Sequence, residues 1–378
     1  MRITKNTIGS RILVSDLKRS YRAQSREIDK AVLRVLNSGW YILGYELEAF
    51  ENEFARYNGS RYAVGVASGT EAIQLALMSL SIGRGDEVIT AVNTAIPTAM
   101  AIISAGARPR FVDVDEGTAN INTDALAEAI TRRTKAIIPV HLYGNPCNID
   151  EVLNVSRKHR IAVVEDCAQA HGAKYKNKMV GTFGDVGTYS FYPTKNLGCY
   201  GDGGAVVTDS KVLSKKIGLL RNYGQPTRYV CDIEGINSRL DEIQAAILRV
   251  KLQYLSRSIV RRIEIAALYE KCLKGISEIK CPSAAKNSRH SFHLYVIRCS
   301  RRNDLKESLA KNGIETQIHY PISLHLQKAF KHLGYGKGDF PVAEKLSREI
   351  LSLPIFPELK DAEVIKICGY IAEFYKGI

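Results

Sequence analysis

The sequence predicts an α/β protein with a mainly parallel sheet covered by helices on both faces, followed by a smaller α+β lobe. Three observations carry this reading. From Tyr62 onward, short and nearly continuous apolar runs alternate with helix-like segments, which is how strands buried on both faces read when the chain crosses back over a parallel sheet. After Thr208 the alternation stops and a long helical stretch takes over. The 378 residues also exceed the roughly 250–300 at which a single core stops growing, so we expect a large domain over residues 1–250 and a small one over 251–378.

Apolar residues at Ile28, Val32, Val35 and Leu36, and again at Leu47, Phe50 and Phe54, recur at helical spacing. Two amphipathic helices therefore open the chain, with SGWYILG between them. Strand and helix then alternate: YAVGVAS with TEAIQLALMSL, EVITAV with PTAMAIISAG, RPRFVDVD with TDALAEAIT, KAIIPVHLYG with DEVLNVSRKH, and IAVVEDCAQA. Residues 187–191 and 205–208 read as two further strands, and residues 210–224 as a helix. A long helical stretch runs from about Ser238 to Leu273. The small lobe shows one clear strand over residues 293–299 and helices near residues 303–311, 342–351 and 363–375. Ligand sites in such sheets gather at the carboxyl ends of the strands.

The 45% hydrophobic and 24% charged fractions are those of an ordinary folded domain. A net charge of +14, from 53 Lys and Arg against 39 Asp and Glu, favours anionic partners. The basic residues are scattered rather than gathered in one tract with interleaved aromatics, which points to small phosphorylated molecules rather than nucleic acid. The eight cysteines form no C-x-x-C pair and no zinc-like spacing with histidine, so we expect reduced packing cysteines and no metal site. The first 24 residues hold no signal-like apolar run, and nowhere do about 18 apolar residues run together. A cytoplasmic protein without membrane contact is the expectation.

Three expected strand ends, and the connection that follows the last of them, carry polar residues that make joint chemical sense. Ser68-Gly69-Thr70 stands where a strand meets a helix, so its amides and hydroxyls suit a phosphate; the same triplet also serves as a plain helix cap. Asp166 ends the run IAVVED, where a carboxylate can pair with a protonated ring nitrogen or simply close a strand. Gln169 follows and can face the same ligand, and Ser190 ends another strand. Lys195 lies in a glycine-rich connection, where a lysine is either solvated or placed to form a Schiff base with its proton lost near neutral pH. A phosphate cradle, an aspartate for a pyridinium nitrogen and a lysine together match the needs of pyridoxal 5′-phosphate.

The segments SGTEAIQLAL, VVEDCAQAHGA, SFYPTKNLGCYGDGGAVVT, RNYG, NSRLDEIQAAILRVKL and IHYPISLHLQKAF resemble the DegT family of sugar aminotransferases from about Asp16 to the end of the chain. The resemblance implies the type I aspartate aminotransferase fold with its mainly parallel, seven-stranded-type sheet. It also implies a homodimer with shared active sites, L-glutamate as amino donor and a nucleotide-linked keto sugar as acceptor. By position, Lys195 is implied as the Schiff-base and proton-transferring lysine, Asp166 as the partner of the pyridine nitrogen, and Gln169 as a contact to the ring hydroxyl. Ser68, Gly69, Thr70 and Ser190 are implied to hold the phosphate, with Asn222 reaching the cofactor of the other subunit. Arg239, His319, Tyr320 and His325 are implied to lie near the nucleotide-sugar.

One position departs from the pattern. Ala95 stands where the family usually has an aromatic or histidine stacked on the cofactor ring, so the stack either comes from elsewhere or is missing. Relatives that replace the lysine by histidine are dehydratases; retention of Lys195 favours transamination. The segments SGWYILG and residues 319–330 look most like members acting on dTDP-3-keto-6-deoxyhexoses, which leads to aminosugars for polysaccharides such as lipopolysaccharide, or for other glycoconjugates. Amination at carbon 4 of dTDP-, UDP- or GDP-sugars, an unactivated carbonyl acceptor such as a cyclitol, and a non-catalytic cofactor-binding regulator are the alternatives.

Overall fold

The computed structural model describes residues 11–376; the first residues of the segment read as lacking a signal run, and the outermost residues of both expected domains, lie outside that range. Helices α1 (Leu17–Ser38) and α2 (Tyr45–Asn58) open the chain. Asp16 caps α1 by accepting from the Arg19 amide at 3.0 Å, and Gly39 ends it with φ 66°, a left-handed conformation that glycine adopts without a Cβ penalty. Ile28 and Val35 are buried as the helical spacing predicts, whereas Leu36 faces outward.

The alternating region gives β1 (Tyr62–Val66), α3 (Gly69–Ser79), β2 (Glu87–Ala91), α4 (Ile96–Ser104), β3 (Arg108–Val112), α5 (Thr123–Glu128), β4 (Thr134–Ile138), α6 (Ile149–His159) and β5 (Ala162–Asp166). A short hairpin, β6 (Lys174–Tyr175) and β7 (Lys178–Met179), precedes β8 (Val186–Ser190), β9 (Gly204–Thr208), α7 (Lys211–Leu220) and the 32-residue α8 (Glu242–Leu273). The smaller lobe adds β10 (Ile279–Lys280), β11 (Ser288–Arg289), β12 (Tyr295–Cys299), α9 (Arg302–Lys311), α10 (Pro341–Glu349), β13 (Ile350–Leu353) and α11 (Asp361–Lys376).

Seven strands form one sheet in the order β1-β9-β8-β5-β4-β2-β3. Six run the same way, while β9 is antiparallel to both its neighbours, β1 and β8. The reason is local: residues 191–203 carry no helix, and a parallel return needs a crossover of a dozen or more residues, usually helical. Six carboxyl ends therefore share one rim. At that rim Gly204 pairs with Val66 on one side and with Ser190 on the other, which draws the segments that follow β1 and β8 together.

A second sheet, β10-β12-β13, holds up the small lobe. The expected helix over residues 342–351 stops at Glu349, and Ile350–Leu353 instead becomes β13, paired antiparallel with β12. An apolar run that short reads equally as a strand or a helix end. Helix α8 serves both cores. Leu248, Leu252, Leu255 and Ile259 pack with the large sheet, and Ile265, Tyr269 and Leu273 with the small one, so residue 250 falls inside a continuous helix. The chain ahead of α1 joins the small lobe, where Ile12 packs and bridges to Ile314. Among the described residues, no helix is long and apolar enough to cross a membrane.

Candidate active site

Lys195 lies in the turn that joins β8 to β9. Its amide donates to the Tyr192 carbonyl at 2.8 Å, and the Cys199 amide returns to the Phe191 carbonyl at 2.8 Å. Gly198 sits so close to Pro193 that an added Cβ would lie 2.4 Å from the Pro193 carbonyl oxygen, so the tight form of the loop requires glycine there. Burial lowers the Lys195 ammonium to about 8, opposed by the nearby Asp166 carboxylate.

Asp166 ends β5 and is buried. Its Oδ1 accepts from the Ala168 amide at 3.0 Å, and its Oδ2 accepts from the Thr98 hydroxyl at 2.8 Å. Thr98 in turn meets the Thr94 hydroxyl at 3.1 Å. Burial raises the Asp166 carboxyl, against the pull of Ala168, Thr98 and Lys195 toward the charged form. A buried carboxylate with two neutral donors gains further from a cation placed against it.

Gln169 is held at both ends of its amide. Its Oε1 accepts from the Tyr143 amide at 2.7 Å, and its Nε2 donates to the Tyr320 hydroxyl at 2.9 Å. The Tyr143 hydroxyl donates to the His319 carbonyl, and His319 Nδ1 pairs with the Ser352 hydroxyl at 2.8 Å. The structure thus joins Gln169, Tyr320 and His319 in one network.

Ser68 caps α3, accepting from the Glu71 amide at 3.2 Å. An added Cβ on Gly69 would lie 2.5 Å from the Ser190 Cβ, and one on Gly204 would lie 2.3 Å from the Ser68 carbonyl oxygen. Only glycine permits that approach. Ser68, Gly69 and Thr70 consequently abut Ser190 at the start of α3, where the first amides have no partner within the helix and suit an anion. A helix start suited to an anion, a buried carboxylate and a lysine of lowered basicity fit pyridoxal phosphate.

Asn222 and Arg239 form a second group. Arg239 Nη1 donates to Asn222 Oδ1 at 3.1 Å, and its guanidinium lies over the Tyr223 ring at 5.8 Å. No hydrogen bond joins either to Lys195, Asp166, Gln169 or Ser190 among the described residues. His325 is not brought to the lysine by any bond either: its Nε2 pairs with Glu344 at 3.0 Å and its ring packs against Phe340 at 4.8 Å. Ala95 caps α4, three residues before Thr98, and offers no side-chain hydrogen bond.

Sequence reasoning missed Thr98, Tyr143 and the support beneath Asp166. His141 donates its amide to the Asp166 carbonyl at 3.1 Å, and its Nε2 pairs with Glu165 at 3.0 Å. Glu165 also accepts from the amides of Gly181, Phe183 and Gly184. His141, Glu165 and Cys167 lie close enough to be weighed as metal ligands, but His141 Nδ1 already accepts from the Cys147 amide at 3.1 Å. Threonine and tyrosine carry no spacing signal of their own; the helix start at Ile96 is the one clue that Thr98 faces the strand ends.

The family model described as the DegT/DnrJ/EryC1/StrS aminotransferase family matches residues 22–372. The chain is 43% identical over 368 residues to a dTDP-3-amino-3,4,6-trideoxy-alpha-D-glucose transaminase of Streptomyces venezuelae, covering 97% of each. It is 42% identical over 375 residues to a UDP-N-acetyl-3-dehydro-alpha-D-glucosamine 3-aminotransferase of Acidithiobacillus ferrooxidans, covering 99% of this chain and 100% of the relative. The crystal structure of S. venezuelae DesV superimposes with a TM-score of 0.96 at 42% identity, covering 97% of this chain and 99% of that one.

Proposed function

The chain belongs to the DegT/DnrJ/EryC1/StrS aminotransferase family, and from that premise we propose that it moves an amino group from L-glutamate to carbon 3 of a nucleotide-linked keto sugar, a dTDP-3-keto-6-deoxyhexose being the first acceptor to try. It is a sugar aminotransferase, and its cofactor is pyridoxal phosphate. The observation that supports the reading most directly is that Lys195, lowered to about 8 by burial, lies within the electrostatic reach of the buried Asp166 carboxylate, which donors from Thr98 and Ala168 hold in place. Carbon 3 is favoured because both relatives above carry that position in their names. They differ in nucleotide and sugar, so a UDP-linked 3-keto sugar is the second reading.

Bound cofactor supplies an electron sink that makes a carbon-bound proton of the amino donor acidic. The residues of this chain do the rest. Ser68, Gly69, Thr70 and Ser190 anchor the phosphate, and Asp166 sets its carboxylate against the ring nitrogen. Gln169, fixed by Tyr143 and Tyr320, contacts the ring hydroxyl. Lys195, with an appreciable neutral fraction near pH 7, takes the donor proton on Nζ and returns it. Arg239, His319 and Tyr320 are the residues we assign to the nucleotide-sugar, whereas His325, expected there from the sequence, is buried and paired with Glu344 and so is not placed to touch it. A charged arginine suits a diphosphate linker.

The same reading includes a homodimer. Leu33, Leu36, Trp40, Tyr41 and Tyr45 are exposed on α1, the start of α2 and the segment between them, with Trp40 63% and Tyr45 72% exposed. An apolar patch of that kind marks an interaction surface. Within a dimer, Asn222 reaches the partner's cofactor phosphate. Cytoplasmic location and a role in surface-polysaccharide or glycoconjugate synthesis belong to this proposal.

The test is the visible spectrum of the protein loaded with pyridoxal phosphate, before and after L-glutamate, with Lys195→Ala beside it. Conversion of the lysine-bound band to the amine form, reversed by a dTDP-linked 3-keto sugar, is the expected result. Reversal only by 4-keto sugars would move the site of amination, and no spectral response to glutamate would remove the donor assignment.

A further inference from the structure

His293 precedes β12 and is enclosed, 7% exposed, with no hydrogen-bond partner for its Nδ1 among the described residues. Its backbone is held from three sides. Arg262 of α8 donates from Nη1 to the carbonyls of Phe292 and His293, at 3.1 and 3.4 Å. The Leu294 amide donates to the Tyr143 carbonyl at 3.3 Å. Asn196, the residue after Lys195, donates from Nδ2 to the Ser291 carbonyl at 3.1 Å. The segment that carries His293 is therefore tied directly to the loop that carries the lysine.

The charged and titratable groups that act on His293 from other elements are Lys195, Arg262, His319 and His171, and burial together with them holds its imidazole uncharged. His319 has already spent Nδ1 on Ser352. His171, whose two ring nitrogens also lack a partner among the described residues, packs against the rings of Tyr189 and Phe191, at 5.3 and 5.8 Å, and has no such tether to the residue beside Lys195. His293 thus combines a free acceptor with a tether to the lysine loop. Buried polar atoms in folded proteins are rarely left unpaired, and the exceptions mark bound water or a functional partner.

We propose that His293 is a positioning residue for Lys195: Nδ1 of the uncharged imidazole accepts a hydrogen bond from the Lys195 ammonium once the lysine has taken the donor proton. The inference rests on the aminotransferase reading. The proton stays on Nζ throughout and returns from Nζ, so His293 neither gains nor loses one. Its effect is to orient the ammonium and to favour it, as Asp166 does from β5.

An acceptor that favours the ammonium raises the basicity of Lys195 above what burial alone leaves. The measurement is the pH dependence of Lys195 acylation by acetic anhydride in cofactor-free protein, read by peptide mass spectrometry. In His293→Leu, which keeps bulk and removes the acceptor, the midpoint falls by about one pH unit. In His293→Asn, whose side-chain oxygen takes the place of Nδ1, it stays at the wild-type value. Should the leucine variant not fold, His293→Ala with and without free imidazole gives the same comparison, with imidazole restoring the midpoint. An unchanged midpoint in folded His293→Leu, or an equal fall in the leucine and asparagine variants, overturns the proposal. Failure of the aminotransferase reading is seen separately, as loaded wild-type protein that glutamate leaves spectrally unchanged.

Discussion

The Thr98 hydroxyl donates to Asp166 Oδ2 across 2.8 Å, from the first turn of α4 to the end of β5. A hydrogen bond to the charged form of a carboxyl favours that form, and Asp166 is already pushed up by burial. Thr98→Val keeps the shape and removes the donor, so the carboxyl takes a proton at higher pH. The acid limb of the pH–rate profile of the glutamate half-reaction then moves upward by about one unit, while the rate at its plateau changes less. A limb that stays in place would show that Thr98 does not tune Asp166.

Lys195 is the residue whose loss is expected to be least tolerated in function and most tolerated in fold. It sits in a loop whose shape depends on backbone bonds and on Gly198, and among the described residues its own side chain makes no hydrogen bond. Lys195→Ala lowers turnover by at least about 10³-fold, the range expected when a general base is removed, with a melting temperature close to wild type. Measuring both on one preparation separates catalysis from folding. Residual turnover near wild type would dismiss the lysine as proton carrier.

Much of this arrangement is legible in the sequence, for a physical reason. Strands buried on both faces announce themselves as apolar runs, and the polar residue that ends each run then falls at the carboxyl rim; Asp166 and Ser190 were located in that way. The same logic fails where the signal is not periodic. The reversed direction of β9 depends on the helix-free connection over residues 191–203, and the run Ile350–Leu353 is too short to distinguish strand from helix end. The partners of Gln169 come from residues 143 and 320, separated in the chain and joined only by folding. The outward-facing Leu36 belongs to a helical repeat that predicts burial, and the second subunit we propose would cover it.

Gly69 tests the phosphate-binding role we propose for the start of α3. Its Cα lies so close to Ser190 that a methyl group meets the serine Cβ at 2.5 Å, a separation that forces the two chains apart. Gly69→Ala is expected to destabilise the protein by about 1–3 kcal/mol, as overpacking commonly does, and to weaken pyridoxal phosphate retention. Thermal melting with and without cofactor measures both effects. If the alanine variant retains cofactor like wild type, the start of α3 is not where the phosphate is held.

Asn222 tests the dimer and the site together. Within one subunit its Oδ1 accepts from Arg239 and its backbone bridges to Asn237, so its contacts there are structural and leave the Nδ2 amide available to an anion. If that amide reaches the partner's cofactor, Asn222→Ala loses cofactor faster on dialysis while remaining dimeric by sedimentation. Dilution of wild-type protein below its dimer dissociation constant produces the same loss, because separated subunits lack the contact that the substitution removes. The two treatments are therefore not additive: diluted Asn222→Ala loses little more cofactor than diluted wild type. Additive losses would show that Asn222 acts within its own subunit, through Arg239, and the cross-subunit assignment would be withdrawn.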